Sequence, residues 1–139
     1  MLSNLPGAVA GIGTDIAVVS RFDAAFERFG LRFARRILGP GEMQVFERRR
    51  ARDPSRGIRY LATRFAAKEA FSKAIGLGLH SPMSWTRMET LNAPGGKPQV
   101  KLNGVLADWY AERFGKAHVS VSDEKDTVIA FVLVESKPA

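Results

Sequence analysis

The chain has no cysteine and only two histidines, His80 and His118, among its 139 residues. That excludes a disulfide framework, a thiolate metal site and a cysteine nucleophile. The two histidines lie far apart and fit no zinc-ligand spacing. Long apolar runs are missing as well. None reaches the ~18 residues of a membrane-spanning helix, and the N-terminus lacks the charged start and apolar core of a secretion signal. The expectation is a cytoplasmic protein with no membrane partner. Acidic residues are the scarcer sign of charge: 14 Asp+Glu stand against 21 Lys+Arg, for a net +7. Such a surplus implies an anionic partner, and nucleic acid, a phosphorylated small molecule and an acidic protein all remain open. The length predicts one domain over residues 1–139, large enough to bury a core without staples.

What the sequence does have is one commanding helix. From Arg56 to Gly76 there is no proline and a majority of strong helix formers, and Gly76 and Gly78 supply the stop. On a helical wheel Ile58, Ala62, Phe65 and Ala66 form one apolar stripe, and Tyr60, Ala67, Phe71 and Ala74 form a second on the opposite side. A helix apolar on two sides is covered on both. Glu69 breaks the pattern, because it lies in line with the first stripe. A carboxylate drawn out of water there needs a cation or a proton. Lys73, one turn on, is one candidate cation, and a bound metal is the other.

Before this helix, Val9 to Ile16 reads as a strand whose alternation puts Gly11, Gly13 and Asp15 on one face and Ala10, Ile12, Thr14 and Ile16 on the other. Two glycines in a strand call for close approach of another backbone or of a ligand. Ser20 is placed to cap a helix over Arg21–Phe29, and Leu31–Leu38 and Glu42–Arg50 read as further helices. The arginines of Arg48–Arg50 and Arg52 lead into an exposed turn at Asp53–Ser55. Charge runs of this kind are usually solvated faces, but their recurrence from Arg21 to Arg52 favours an acidic docking partner. After the long helix, strands are predicted at Trp85–Leu91 and Gln99–Leu102, joined by the turn Ala93–Pro98. A helix over Gly104–Phe114 with Asn103 as its cap follows. Ala117–Ser122 and Thr127–Val134 then form a hairpin.

Asp15 and Glu69 are the two conspicuous acids, and neither has histidine or cysteine company. Oxygen-only ligands suit a hard cation such as Mg²⁺, which takes few carboxylates and leaves room for substrate phosphates. Lys73 would then hold a phosphate as a point charge. Two carboxylates, one metal and one lysine point to phosphoryl-type chemistry. A nucleic-acid-binding domain is the rival reading of the charge. It finds no zinc finger, RNP-like aromatic sheet or helix-turn-helix spacing here, and it leaves both acids without a role.

Gly11-Ile-Gly-Thr-Asp-Ile16 together with Arg64-Phe-Ala-Ala-Lys-Glu-Ala-Phe-Ser-Lys-Ala74 resembles the holo-acyl-carrier-protein synthases, the small 4′-phosphopantetheinyl transferases. The likeness extends to Arg35–Leu38, to Gly96-Lys-Pro98 and to His118–Asp123. It implies an α+β fold in which an antiparallel sheet wraps around the long central helix, and a homotrimer with active sites between subunits. It implies transfer of the phosphopantetheine arm of coenzyme A to a serine of apo acyl carrier protein, with release of adenosine 3′,5′-bisphosphate. Asp15 and Glu69 match the family's metal-ligand positions, and with Lys73 they make up the expected catalytic set. Ser72, Lys73 and Gly76 match positions lining the diphosphate; Arg64, Lys97 and Pro98 complete the expected substrate contacts. Arg21, Arg32 and Arg35 match or neighbour positions that dock the acidic carrier. Because the wheel turns Arg64 away from Glu69, Arg64 is expected to serve a neighbouring subunit's site. Two departures stand out. Val18 replaces a third acid found in many members. Asp123 stands where some members carry a histidine that meets the coenzyme A 3′-phosphate, leaving Arg64 and Lys97 as candidate cations for that group.

Overall fold

The protein is described here by a computed structural model covering residues 7–138. Strand β1 (Val9–Val18) runs directly into α1 (Val19–Phe29), followed by α2 (Leu31–Ile37), α3 (Pro40–Arg52) and α4 (Pro54–Ala74). A 3-10 turn, Trp85–Arg87, precedes the ribbon β2 (Met88–Asn92) and β3 (Pro98–Leu102). Helix α5 (Gly104–Arg113) then leads to the hairpin β4 (Phe114–Glu124) and β5 (Thr127–Ser136). The main sheet is antiparallel in the order β1-β5-β4, and β2-β3 forms a separate antiparallel pair.

Helix α4 is the axis. At 21 residues it is about 30 Å long, and it begins earlier than its composition suggests. Pro54 occupies its first turn, and the Asp53 carboxylate accepts the Ser55 backbone N–H at 2.9 Å. The segment expected to be an exposed turn is therefore a capped helix start. Both predicted stripes are covered: Ile58, Ala62 and Ala66 are buried, and so are Tyr60, Ala67, Phe71 and Ala74. Lys68, between the stripes, is buried as well, together with Glu42 of α3. Lys68 and Glu42 have fully enclosed side chains, with Lys68 Nζ 2.6 Å from Glu42 Oε1. Glu42 also accepts the N–H of Gly39 at 3.1 Å and that of Thr90 at 2.8 Å. Lys68 donates in addition to the Met88 carbonyl. This network ties α3, α4 and β2 together, and its separation in sequence hid it from the wheel.

The glycines of β1 have a clear physical cause. A Cβ on Gly11 would lie 2.0 Å from the Ala74 carbonyl oxygen, and one on Gly13 would lie 1.9 Å from that of Ala70. Backbone meets backbone, so only glycine fits. This contact lays the Gly11, Gly13 and Asp15 face of β1 on the last turns of α4, and it turns Ile12, Thr14 and Ile16 outward.

Three local expectations are corrected. Ser20 does not cap α1. The helix starts at Val19, and both the Ser20 backbone N–H and its hydroxyl donate to the Asp126 carboxylate in the β4–β5 turn, at 2.9 and 2.8 Å. Asn103 stands at the cap position of α5, but its side chain donates to the Thr86 carbonyl at 3.1 Å instead. Trp85 to Arg87 form a helical turn, so the strand begins only at Met88.

Candidate active site

Asp15 near the end of β1 and Glu69 in the last two turns of α4 meet where the glycine face of the strand crosses the helix. Lys73 joins them from one turn further along α4. Its ammonium donates to the Thr14 carbonyl at 2.8 Å and lies 3.3 Å from Asp15 Oδ1. The lysine considered as a partner for Glu69 is thus paired with Asp15, and it reaches Glu69 only through space. Glu69 accepts a long hydrogen bond from Trp85 Nε1, 3.4 Å from Oε2. Its carboxyl is raised above the ordinary carboxylate pKa, first by burial and then by the neighbouring Asp15 charge, against opposing contributions from Trp85 and Lys73. Each of these influences identifies one compact site, in which two acids feel each other's charge.

The donor set fits a hard divalent cation. Two carboxylates held together, one of them partly desolvated, gain from a cation between them. Among the described residues no group of three or more His, Cys, Asp or Glu side chains is gathered for a metal, so an ion here would have Asp15 and Glu69 as its carboxylate ligands and would draw the rest from solvent and substrate. The histidines are engaged elsewhere. His80 Nδ1 lies 2.9 Å from the Leu77 carbonyl, and His118 Nε2 lies 2.5 Å from Glu135 Oε2.

Ser72 is buried and donates its hydroxyl proton to the Glu69 carbonyl at 2.7 Å, so it can only accept from a ligand. Gly76 has φ 80°, a left-handed conformation that lets the chain leave α4, and a Cβ built there would meet nothing within 4 Å. The N–H groups of Leu77 and Gly78 fold back on the Ser72 carbonyl. The end of α4 therefore presents an open backbone surface beside Lys73.

Arg64 is not with the acids. It is buried, donates from Nε to the Thr90 carbonyl at 3.1 Å, and stacks over the Tyr60 ring at 4.3 Å. It lines a cavity of about 660 Å³ together with Arg48, Arg49, Arg52, Arg56 and Arg59, and Gly96, Pro98 and Asp123 also contribute to its wall. Neither Asp15, Glu69 nor Lys73 belongs to that cavity. Lys97 faces a second cavity of about 400 Å³, which it shares with Pro98. Most of the arginine cluster escaped sequence reasoning because the run from Arg48 to Arg52 reads as a solvated face. Its register with Arg56, Arg59 and Arg64 needs the α3–α4 packing.

A third cavity, of about 350 Å³, opens at Asp15 and is walled by Ile16, Phe22, Phe33 and Phe65, with Arg21 at its edge. Arg21, Arg32 and Arg35 are all exposed on α1 and α2.

Residues 11–132 match the 4′-phosphopantetheinyl transferase superfamily. The chain belongs to that superfamily. Among its relatives, a holo-[acyl-carrier-protein] synthase of Bordetella pertussis is 60% identical over 96% of this chain and 88% of its own length. The crystal structure of holo-[acyl-carrier-protein] synthase from Neisseria meningitidis superposes with a TM-score of 0.85 at 39% identity, covering 92% of this chain and 99% of that one. A Bacillus anthracis holo-(acyl-carrier-protein) synthase in complex with CoA (3′,5′-ADP) superposes with a TM-score of 0.76 at 32% identity, over 93% and 98% of the two chains. This phosphopantetheinyl transferase is therefore an enzyme with the α+β architecture of the holo-acyl-carrier-protein synthases, its sheet laid around one long helix. Among its described residues no helix is long and apolar enough to cross a membrane.

Proposed function

We propose that the protein transfers the 4′-phosphopantetheine group of coenzyme A to a serine of an apo acyl carrier protein in a Mg²⁺-dependent reaction. Adenosine 3′,5′-bisphosphate leaves, and the modified carrier serves fatty acid biosynthesis. The observation that carries this reading is the meeting of Asp15, Glu69 and Lys73 at the β1–α4 crossing. It supplies two oxygen ligands and one cation beside an open helix end.

In this reading Asp15 and Glu69 hold Mg²⁺. When bound, the ion neutralises diphosphate charge and stabilises the departing bisphosphate oxygen. The chain's own residues do the rest. Lys73 places an ammonium against the transferring phosphoryl group, and Ser72 and Gly76 line the diphosphate. The carrier serine oxygen bonds to the phosphorus bearing the pantetheine arm, and the bond from that phosphorus to the adenosine bisphosphate breaks. A water oriented by the site carboxylates takes the serine proton, because both histidines are committed elsewhere.

Arg21, Arg32 and Arg35 form the docking face for the acidic carrier, where charge complementarity orients it and speeds encounter. The cavity lined by both Asp15 and Arg21 supports a carrier docked beside Asp15. A homotrimer is supported by the outer face of the main sheet. Ile12, Ile16, Ile129 and Phe131 are 59, 66, 46 and 40% exposed there, a patch that association would cover. Sharing of sites between subunits is supported by Arg64, which lines a cavity apart from the acids. In such an assembly Arg64, Lys97 and Pro98 would reach a neighbour's coenzyme A.

The deciding experiment is to incubate the protein with apo acyl carrier protein, coenzyme A and Mg²⁺ and to weigh the carrier. Gain of one phosphopantetheine supports the reading, and an unmodified carrier refutes it.

A further inference from the structure

Trp85 sits on a helical turn, Trp85–Arg87, where the residue pattern predicts a strand, and hydrogen bonds hold that turn in shape. The Asn103 side chain donates to the Thr86 carbonyl at 3.1 Å, and the Asn103 backbone N–H donates to the Arg87 carbonyl at 3.0 Å. Arg87 Nη1 donates in turn to the Pro82 carbonyl at 3.0 Å. Asn103, whose side chain forgoes the cap of α5, thus clasps the turn from the end of β3.

The clasp fixes one indole. The half-buried Trp85 ring packs on Phe65 of α4 with centroids 5.5 Å apart, and Phe65 meets Phe22 of α1 at 5.1 Å. From that seat Nε1 donates to Glu69 Oε2 at 3.4 Å. An indole nitrogen is a donor only, so it engages a carboxylate without becoming a rival ligand for a cation. A glutamate must also fix its side-chain torsions before it can ligate, at an entropic cost. A donor that is itself held in place offsets part of that cost before the ion arrives, as partners of metal ligands commonly do.

We infer that Trp85 is a positioning residue for the candidate metal site: its indole N–H holds Glu69 Oε2 and leaves Oε1 to the ion that Glu69 shares with Asp15. The inference rests on the function proposed above, which makes Glu69 an ion ligand. A tryptophan that served only to pack against Phe65 would be replaced without consequence by phenylalanine, which keeps an aromatic ring and removes the N–H.

The test reads the ion and the indole separately in the full chain with coenzyme A present. The chain has two tryptophans, so Trp109→Phe leaves a single indole N–H signal in NMR, that of Trp85. Saturating Mg²⁺ should move that signal, and adding Glu69→Gln should abolish the movement. By electron paramagnetic resonance, Trp85→Phe should weaken Mn²⁺ binding by roughly tenfold, the lower end of what loss of a ligand's partner does. Trp109→Phe, the same exchange made on α5 against Phe114, should leave Mn²⁺ affinity at the wild-type value. Wild-type Mn²⁺ affinity in Trp85→Phe, or a Trp85 signal indifferent to Mg²⁺ while Mn²⁺ still binds, overturns the inference and leaves Asp15 and Glu69 as ligands. If the wild-type chain binds no Mn²⁺, the metal site beneath the inference falls with it.

Discussion

The Lys73 ammonium lies 3.3 Å from Asp15 Oδ1 and 2.8 Å from the Thr14 carbonyl oxygen, joining the last turns of α4 to the end of β1. One cation therefore touches the strand that carries one acid and lies on the helix that carries the other. In the proposed reaction the same group faces the phosphoryl oxygens. Replacing it with methionine keeps the stem and removes the charge. Lys73→Met should lower kcat by on the order of a hundredfold, the usual effect of losing one preorganised donor at a transition state. Steady-state transfer kinetics check this, and an unchanged kcat would remove Lys73 from the catalytic set.

Glu69 gives a pH signature in chelator-treated protein. Its folded-state pKa lies above the ordinary value of 4.5, chiefly through burial. The folded chain thus binds more protons than the unfolded chain between those two values, and stability must fall as pH rises through that window. Glu69→Gln should flatten that part of the curve, leaving the contribution of Glu42, which burial also raises. Thermal unfolding across pH 4–7 measures it. A variant curve parallel to wild type would contradict the assignment.

The buried Lys68–Glu42 pair is a stability element with an asymmetric response. Lys68→Met leaves an unpaired buried carboxylate and should cost about 3–5 kcal/mol. Adding Glu42→Gln removes that stranded charge and keeps an acceptor for Gly39 or Thr90, so the double variant should recover part of the loss. Urea unfolding of the two single variants and the double variant reads the coupling. Additive losses would show that the pair acts as two separate residues.

Shared sites predict complementation. An Arg64→Gln chain and a Glu69→Ala chain, each inactive alone, should regain about a quarter of wild-type activity when refolded together in equal amounts, the statistical share of intact sites in random trimers. No recovery would place Arg64 and Glu69 in the same subunit's site.

Much of this was legible in the sequence because the relevant signals are local. The two stripes of α4 required burial on both sides, and Gly11 and Gly13 called for close approach of a backbone or a ligand, which proved to be the carbonyls of Ala74 and Ala70. The hairpin of β4 and β5 follows from alternation around a charged turn. What escaped depends on packing between distant segments. Glu42 and Lys68 lie 26 positions apart on different helices, so no local pattern pairs them. Ser20 has the chemistry of a cap, but Asp126 competes successfully for its hydroxyl. The Arg48–Arg52 run became a cavity wall only when α3 met α4.

The most direct measurement is Mn²⁺ binding by electron paramagnetic resonance, with coenzyme A present, in wild type, Asp15→Ala and Glu69→Ala. Bound ion in wild type and its loss in both single variants is the predicted result. Undiminished affinity in either alanine variant would contradict a site in which both carboxylates hold the ion.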